Sequence, residues 1–279
     1  MRWALVVTLL TGALLTGCGK STKVTSLAAA AQELSAKEFK FGGVPSSVDA
    51  GRVDLTLRNT GKQPHDIQLL KMDGGHTLDE FLPVIEGEGT PIPDWAHAEG
   101  GVGVVAPGST LQTSLNLPPG NYAYFCTQGE GDQAHVKLGM RGNFTVTGKA
   151  SKHALPKPDA KVAGHEYAFN VKNLKAGRQT VEFRNTGAQL HHFFMAPIQQ
   201  GKTFAEAKAA LLAPPDQQTG PPPVDFDKGT GVEVLDPGTA EVSTISLSKG
   251  DYVMLCFIND RSGGPPHFTK GMLQEVRVS

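Results

Sequence analysis

The chain has 279 residues, enough for about two domains at roughly 100–200 residues each. Its 26 basic and 27 acidic side chains nearly cancel, which leaves no basic excess for nucleic acid or an anionic surface. Its 33 Gly and 19 Pro mark many turns and predict short strands rather than long helices.

The N-terminus reads as an export signal. Arg2 is the charged start and Ala4 to Leu15 the apolar run, too short to span a membrane and of the length a signal sequence uses. The run ends in Leu15-Thr16-Gly17-Cys18. These residues resemble the bacterial lipoprotein cleavage box. The resemblance implies that 1–17 is a signal peptide, that the mature chain begins at a lipidated Cys18, and that 18–36 is a tether rich in Ser, Thr and Ala. The expected location is the cell envelope, outside the cytoplasm and held to the membrane.

The first domain is expected over 37–147. Lys37 to Phe41 is a short strand candidate, and Val53 to Arg58 alternates apolar and polar residues as a half-buried strand does. Asn59-Thr60-Gly61 is a turn before a strand entered at His65. Thr77 with Glu80 forms a capping box, which predicts a short helix over 78–86. Residues 87–101 read as a Gly- and Pro-rich loop. Strands follow at 102–105, 111–117 and 120–126, and Phe144 to Val146 closes the sheet.

Residues 148–163 read as a linker, basic and without apolar periodicity. The second domain, 164–279, then repeats the first. Gly177 to Asn185 matches Gly51 to Asn59, and Thr203 with Glu206 opens a helix near 204–212 as Thr77 with Glu80 does. Asp236-Pro237-Gly238 matches Ala106-Pro107-Gly108. Several short strands with turn signals between them predict an all-β chain of antiparallel sandwiches.

The chemistry gathers in one repeated motif. A strand ending Tyr122-Ala123-Tyr124-Phe125-Cys126 leads into His135 and Met140, and one ending Tyr252-Val253-Met254-Leu255-Cys256 leads into His267 and Met272. Gly139 and Gly271 stand just before the two Met. Each half supplies one more imidazole upstream: His65, and His191 or its neighbour His192, with His191 in register. The offset between the sets is 126 at the early His, 130 at the Cys, and 132 at the late His and Met. It grows only inside loops, as an internal duplication requires. One His, Cys or Met alone is ordinarily structural; the set in the same order twice is not. A thiolate, imidazoles and a thioether suit copper better than zinc or calcium. Cys126 and Cys256 hold equivalent places in separate repeats, so a disulfide between them is not expected.

At these residues the chain resembles the cupredoxins, in which an early His joins a late Cys…His…Met loop. The resemblance implies two tandem cupredoxin-like Greek-key β-sandwiches, each with a short inserted helix. It implies a mononuclear type 1 copper site in each, two coppers per chain, with metal ligands His65, Cys126, His135 and Met140 in the first and His191, Cys256, His267 and Met272 in the second. The implied function is electron transfer, with redox proteins of the cell envelope as partners. Copper storage or delivery is an alternative, and a two-domain nitrite reductase or multicopper oxidase a further one. Those enzymes add a catalytic copper held by a His beside the loop Cys and by His-x-His pairs. Cys126 lies between Phe125 and Thr127, Cys256 between Leu255 and Phe257, and no His-x-His occurs. The expectation from sequence is therefore an electron carrier and not an enzyme. The late His is expected at the surface, and Pro265-Pro266-His267-Phe268 as an apolar docking face.

Overall fold

The computed structural model describes residues 30–87, 89–129, 133–214, 217, 220 and 223–279. Cys18 and the signal segment lie outside these residues.

In the first half, β1 (Ala30–Lys37), β2 (Lys40–Gly42), β4 (Gly51–Asn59) and β7 (Thr110–Leu117) form one layer. The facing layer holds β3 (Ser47–Asp49), β5 (His65–Met72), β6 (Ala96–Val105), β8 (Gly120–Phe125) and β9 (Arg141–Thr147). The alternation in β4 turns Val53, Leu55 and Leu57 inward, onto Ile67, Tyr122 and Phe144 of the second layer. Burial of this face supplies most of the stabilisation, about 1.5–3 kcal/mol for each large apolar side chain fully removed from water. The second half repeats the plan. One layer is β10 (Ala160–His165), β11 (Ala168–Lys172), β12 (Gly177–Asn185) and β15 (Ala240–Leu247); the other is β13 (Phe194–Pro197), β14 (Thr230–Gly231), β16 (Gly250–Leu255) and β17 (Leu273–Val278). Val181, Phe183, Phe193 and Tyr252 lie in its core. The helices α1 (Leu78–Glu86) and α2 (Phe204–Leu212) fall where the capping boxes predict them. Glu80 closes back on the Thr77 N–H at 3.2 Å and Glu206 on the Thr203 N–H at 2.8 Å.

Three boundaries differ from the sequence reading. β1 begins at Ala30, inside the stretch read as tether, because it gains a parallel partner in β4. β10 begins at Ala160, inside the stretch read as linker, and pairs with β12 in the same way. β6 begins at Ala96, inside the stretch read as loop. Its glycines serve close packing: a Cβ on Gly101 would run into the Ile67 carbonyl oxygen.

The two halves share a sheet. β7 pairs antiparallel with β15, joining Thr113 to Ser243 and Leu115 to Glu241, so the first layers of both sandwiches make one eight-stranded sheet. The junction is polar as well. The Gln68 side-chain amide exchanges hydrogen bonds with the Val234 backbone, at 2.8 and 3.2 Å. His97 lies 3.0 Å from Asp236, and Arg261 donates to Asp236 and to the Pro93 carbonyl at 3.1 and 2.7 Å.

Candidate metal centres

Each half places its early His beside its late loop at one end of the sandwich. His65 opens β5; Cys126 follows β8; His135 and Met140 lie in the turn before β9. The loop is pinned shut by its own backbone: the Cys126 N–H donates to the Met140 carbonyl at 3.0 Å, and the Met140 N–H to the His135 carbonyl at 2.9 Å. Cys256, His267 and Met272 repeat both bonds at 3.2 and 3.0 Å. The glycine before each Met has a left-handed backbone, φ 100° at Gly139 and 125° at Gly271, a region that a side chain makes costly. That is why the pattern ends in Gly-Met twice.

The donor atoms converge. In the first half the Nδ1 atoms of His65 and His135 lie 3.2 Å apart, with Cys126 Sγ at 3.8 and 3.4 Å from them. In the second, the Nδ1 atoms of His191 and His267 lie 3.1 Å apart and Cys256 Sγ is 3.6 Å from His267. A metal about 2.0–2.3 Å from nitrogen and thiolate donors spaces those donors about 3.3–3.8 Å from one another. The Cys–His distances of 3.4–3.8 Å fall in this range and the His–His distances of 3.2 and 3.1 Å lie just short of it, and a Cys with two His suits copper by softness and geometry. Met140 and Met272 are fully buried in the same apolar clusters as the two Cys. A Cβ on Gly164 would touch both the Met272 methyl and the His191 Cβ, so that thioether side chain lies beside the early His.

Burial keeps the imidazoles neutral and ready to bind. It lowers the pKa of His65, His135 and His191 below the ordinary value, and with the neighbouring His191 holds His267 at about 4. The same burial pushes the Cys256 thiol up to about 12 and the Cys126 thiol up as well. The thiols are therefore protonated without metal, and a bound cation would displace their protons.

Around each donor set lies a duplicated shell that the sequence reading missed. Glu38 accepts the Lys62 and Gln63 N–H groups and stands 3.7 Å from His65 Nε2. Its counterpart Glu166 accepts the Ala188 and Gln189 N–H groups and stands 3.2 Å from His191 Nε2. The Lys62 N–H is the main reason the Glu38 carboxyl is held at about 2. A carboxylate bonded to the far nitrogen, as Glu166 is to His191, orients a metal-binding imidazole and raises its basicity; Glu38 stands beyond hydrogen-bond distance of His65 Nε2. A matching signal was visible only as an acidic residue in the first turn of each repeat.

The residue after the early His also has a duplicated task. Asp66 accepts the Thr127 N–H at 2.6 Å, and His192 Nε2 accepts the Phe257 N–H at 2.9 Å. Each fixes the peptide just past the Cys. His191, not His192, thus faces the other donors. Met254 lies in the core. His97 bridges Asp73 and Asp236, each at 3.0 Å.

The late His does not reach the surface. His135 is 3% exposed and His267 0%. Gln63 lies 2.8 Å from His135 Nε2, and Asp260 lies 3.0 Å from His267 Nε2 while engaged by Tyr167 and Lys270. The aromatic side chain that is exposed beside a donor is Phe257, next to Cys256 and 43% exposed.

No protein-family model matches the chain, and no curated protein matches it. Solved structures do. An auracyanin from Roseiflexus castenholzii is 24% identical over 43% of this chain and 99% of its own, with a TM-score of 0.31. A copper-containing nitrite reductase from Thermus scotoductus is 16% identical over 90% of this chain and 62% of its own, TM-score 0.26. A blue copper oxidase from Nitrosomonas europaea is 15% identical over 90% of this chain and 86% of its own, TM-score 0.28. The last two correct the expectation that the chain is not an enzyme: the structures matched across both halves are copper enzymes.

Proposed function

We propose that this chain, cupredoxin-like in fold and in donor set, transfers electrons through two type 1 copper centres, one in each half. The observation that carries the reading is the convergence of two imidazole Nδ1 atoms and a buried Cys Sγ in both halves. His65, Cys126, His135 and Met140 would hold one copper, and His191, Cys256, His267 and Met272 the other. Copper in such a site cycles between two oxidation states. The chain's part is to hold the donors still, through the closed loop and the glutamate and peptide clamps, so that little moves when the charge changes.

The partner is a redox protein with an apolar face. Phe257 meets the rings of Phe194, Phe226 and Phe268 at centroid distances of 5.8, 6.4 and 6.0 Å, which makes an aromatic surface one residue from Cys256. A small apolar patch suits the brief, small-area encounters of redox proteins. Phe257→Ser removes the exposed ring and leaves the donors. A lost aromatic anchor is worth about 1–2 kcal/mol, so exchange with a small redox protein at fixed salt should slow about tenfold. An unchanged rate with an intact copper spectrum would remove this face as the port. Copper-loaded protein that cannot be reversibly reduced and reoxidised would end the electron-transfer reading itself.

The envelope location rests on the leader. The box at Leu15-Thr16-Gly17-Cys18 supports attachment through a lipid on Cys18, and two acyl chains there would anchor stably where one is marginal. Among the described residues no helix is long and apolar enough to cross a membrane. Mass analysis of the protein from its native host should find a lipidated Cys18 as first residue; a mature N-terminus past it defeats the anchor.

A further inference from the structure

The linker forms the roof of a crevice. Asn116 holds its start by exchanging two hydrogen bonds with the His153 backbone, both 2.9 Å. Asp159 holds its end, accepting the Thr180 N–H and hydroxyl at 2.8 and 2.7 Å. Between these pins the chain arches over a space of about 490 Å³ lined by both halves, within the range of small-molecule sites. Lys152 and Lys157 line it from the linker, Lys161 and Arg184 from β10 and β12. Glu182 pairs with Lys161 and Arg184, each at 2.9 Å, so cations remain in excess. At the inner end stands Glu99 of β6, 8% exposed. Among the described residues its carboxyl group has no hydrogen bond or ion pair to the protein, and it lines the crevice.

We propose that this crevice binds a small oxyanion carrying two or more negative charges, held by Lys152, Lys157, Lys161 and Arg184 and hydrogen-bonded by the Glu99 carboxyl group. The crevice lining contains none of the eight copper donors. The lysines and the arginine supply charge-assisted donors, and Arg184 can present two N–H groups to one oxyanion. Glu99 contributes only as a carboxylic acid. Burial is the main cause that holds it up to about 8; Asp236 and Asp73 act in the same direction, Lys71 and Lys152 against it. Below that pH it donates an O–H to the ligand. Above it, it is a second anion facing the first. Affinity should therefore fall as pH rises through about 8. The ligand would touch linker and both halves at once and would tie them together.

The test is calorimetric titration of the full chain with sulfate and with tricarballylate at constant ionic strength, chloride serving as control. Sulfate keeps its charge between pH 6 and 9, so any pH dependence belongs to the protein. One anion per chain is expected. Sulfate alone would assign an inorganic ligand, tricarballylate alone a polycarboxylate, and both the shared chemistry. Lys157→Ala and Arg184→Gln, at exposed positions where folding is not at risk, should each weaken binding about tenfold, the effect of one charged hydrogen bond. Glu99→Gln should keep binding and lose its pH dependence. No heat above the chloride control, or affinity unchanged in both cation variants, overturns the proposal. Sulfate affinity independent of pH in the unmodified chain overturns the role given to Glu99.

Discussion

Replacing Cys126 with Ser removes about half of the intense visible absorption of the copper-loaded chain, replacing Cys256 removes about the other half, and the double variant is colourless. The colour comes from charge transfer between thiolate sulfur and copper, so it requires a Cys ligand and reports each centre separately. Serine is nearly isosteric, and its hydroxyl, at a site where burial already pushes even a thiol up to about 12, stays protonated and binds copper poorly. The imidazole pairs remain, 3.2 and 3.1 Å apart at their Nδ1 atoms, and can still hold Cu(II) weakly with ordinary nitrogen-ligated spectra. Copper uptake should also release about one proton for each thiol that becomes thiolate, so that affinity rises with pH. Visible absorption and paramagnetic resonance during a copper titration read both effects. A double variant that keeps its colour defeats the donor assignment. A single variant that loses all of the colour shows that one half alone holds thiolate copper.

Much of the donor set was legible because type, order and spacing were repeated. The register of His191 with His65 pointed to the member of the adjacent pair that lies beside His267 and Cys256 in the structure, while His192 bonds the Phe257 N–H. Alternation gave the inward faces of β4 and β12, and the capping boxes gave both helices, because each depends on residues near one another in sequence. What stayed hidden depends on partners far away. Thr113, Ser243 and Glu241 look like solvent-facing strand positions. In the fold they are buried along the shared sheet, where the Thr113 and Ser243 hydroxyls lie 2.8 Å apart and Ser243 donates to Glu241 at 2.8 Å. Nothing local announces a pairing across 130 positions. The surface expectation for the late His failed for a similar reason. Its cover comes from Gln63, 72 positions upstream, in one half and from Asp260 within the loop in the other.

The buried asparagines give the second large effect. Asn59 and Asn185 read as turn residues, yet both are 0% exposed. Asn59 Nδ2 donates to the Gln63 and Val105 carbonyls at 2.7 and 2.8 Å, and its Oδ1 accepts the Gly61 N–H at 2.9 Å. Asn185 does the same to Gln189, Leu235 and Gly187, at 2.7, 2.8 and 3.0 Å. Each side chain therefore holds the loop that delivers the early His and staples it to the strand or bridge opposite. Asn→Leu keeps the branched shape, with somewhat more bulk, and leaves those backbone groups without their partner, at about 1–3 kcal/mol for each one that stays buried. Some recover partners by relaxation, so the expected loss is about 3–5 kcal/mol in denaturant unfolding of the copper-free chain. Copper affinity should fall in the same half, because the freed loop must be ordered again when the metal binds. Asn185→Leu should cost more than Asn59→Leu. Its partner Leu235 also exchanges backbone bonds with His191 at 3.2 and 2.9 Å and bridges to Glu99 of the first half. A disturbance there spreads into the junction, and both halves should then unfold together at lower denaturant. Losses below about 1 kcal/mol in both variants would mean that water or a shifted backbone replaces the asparagine, and that the early His is held by its strand alone.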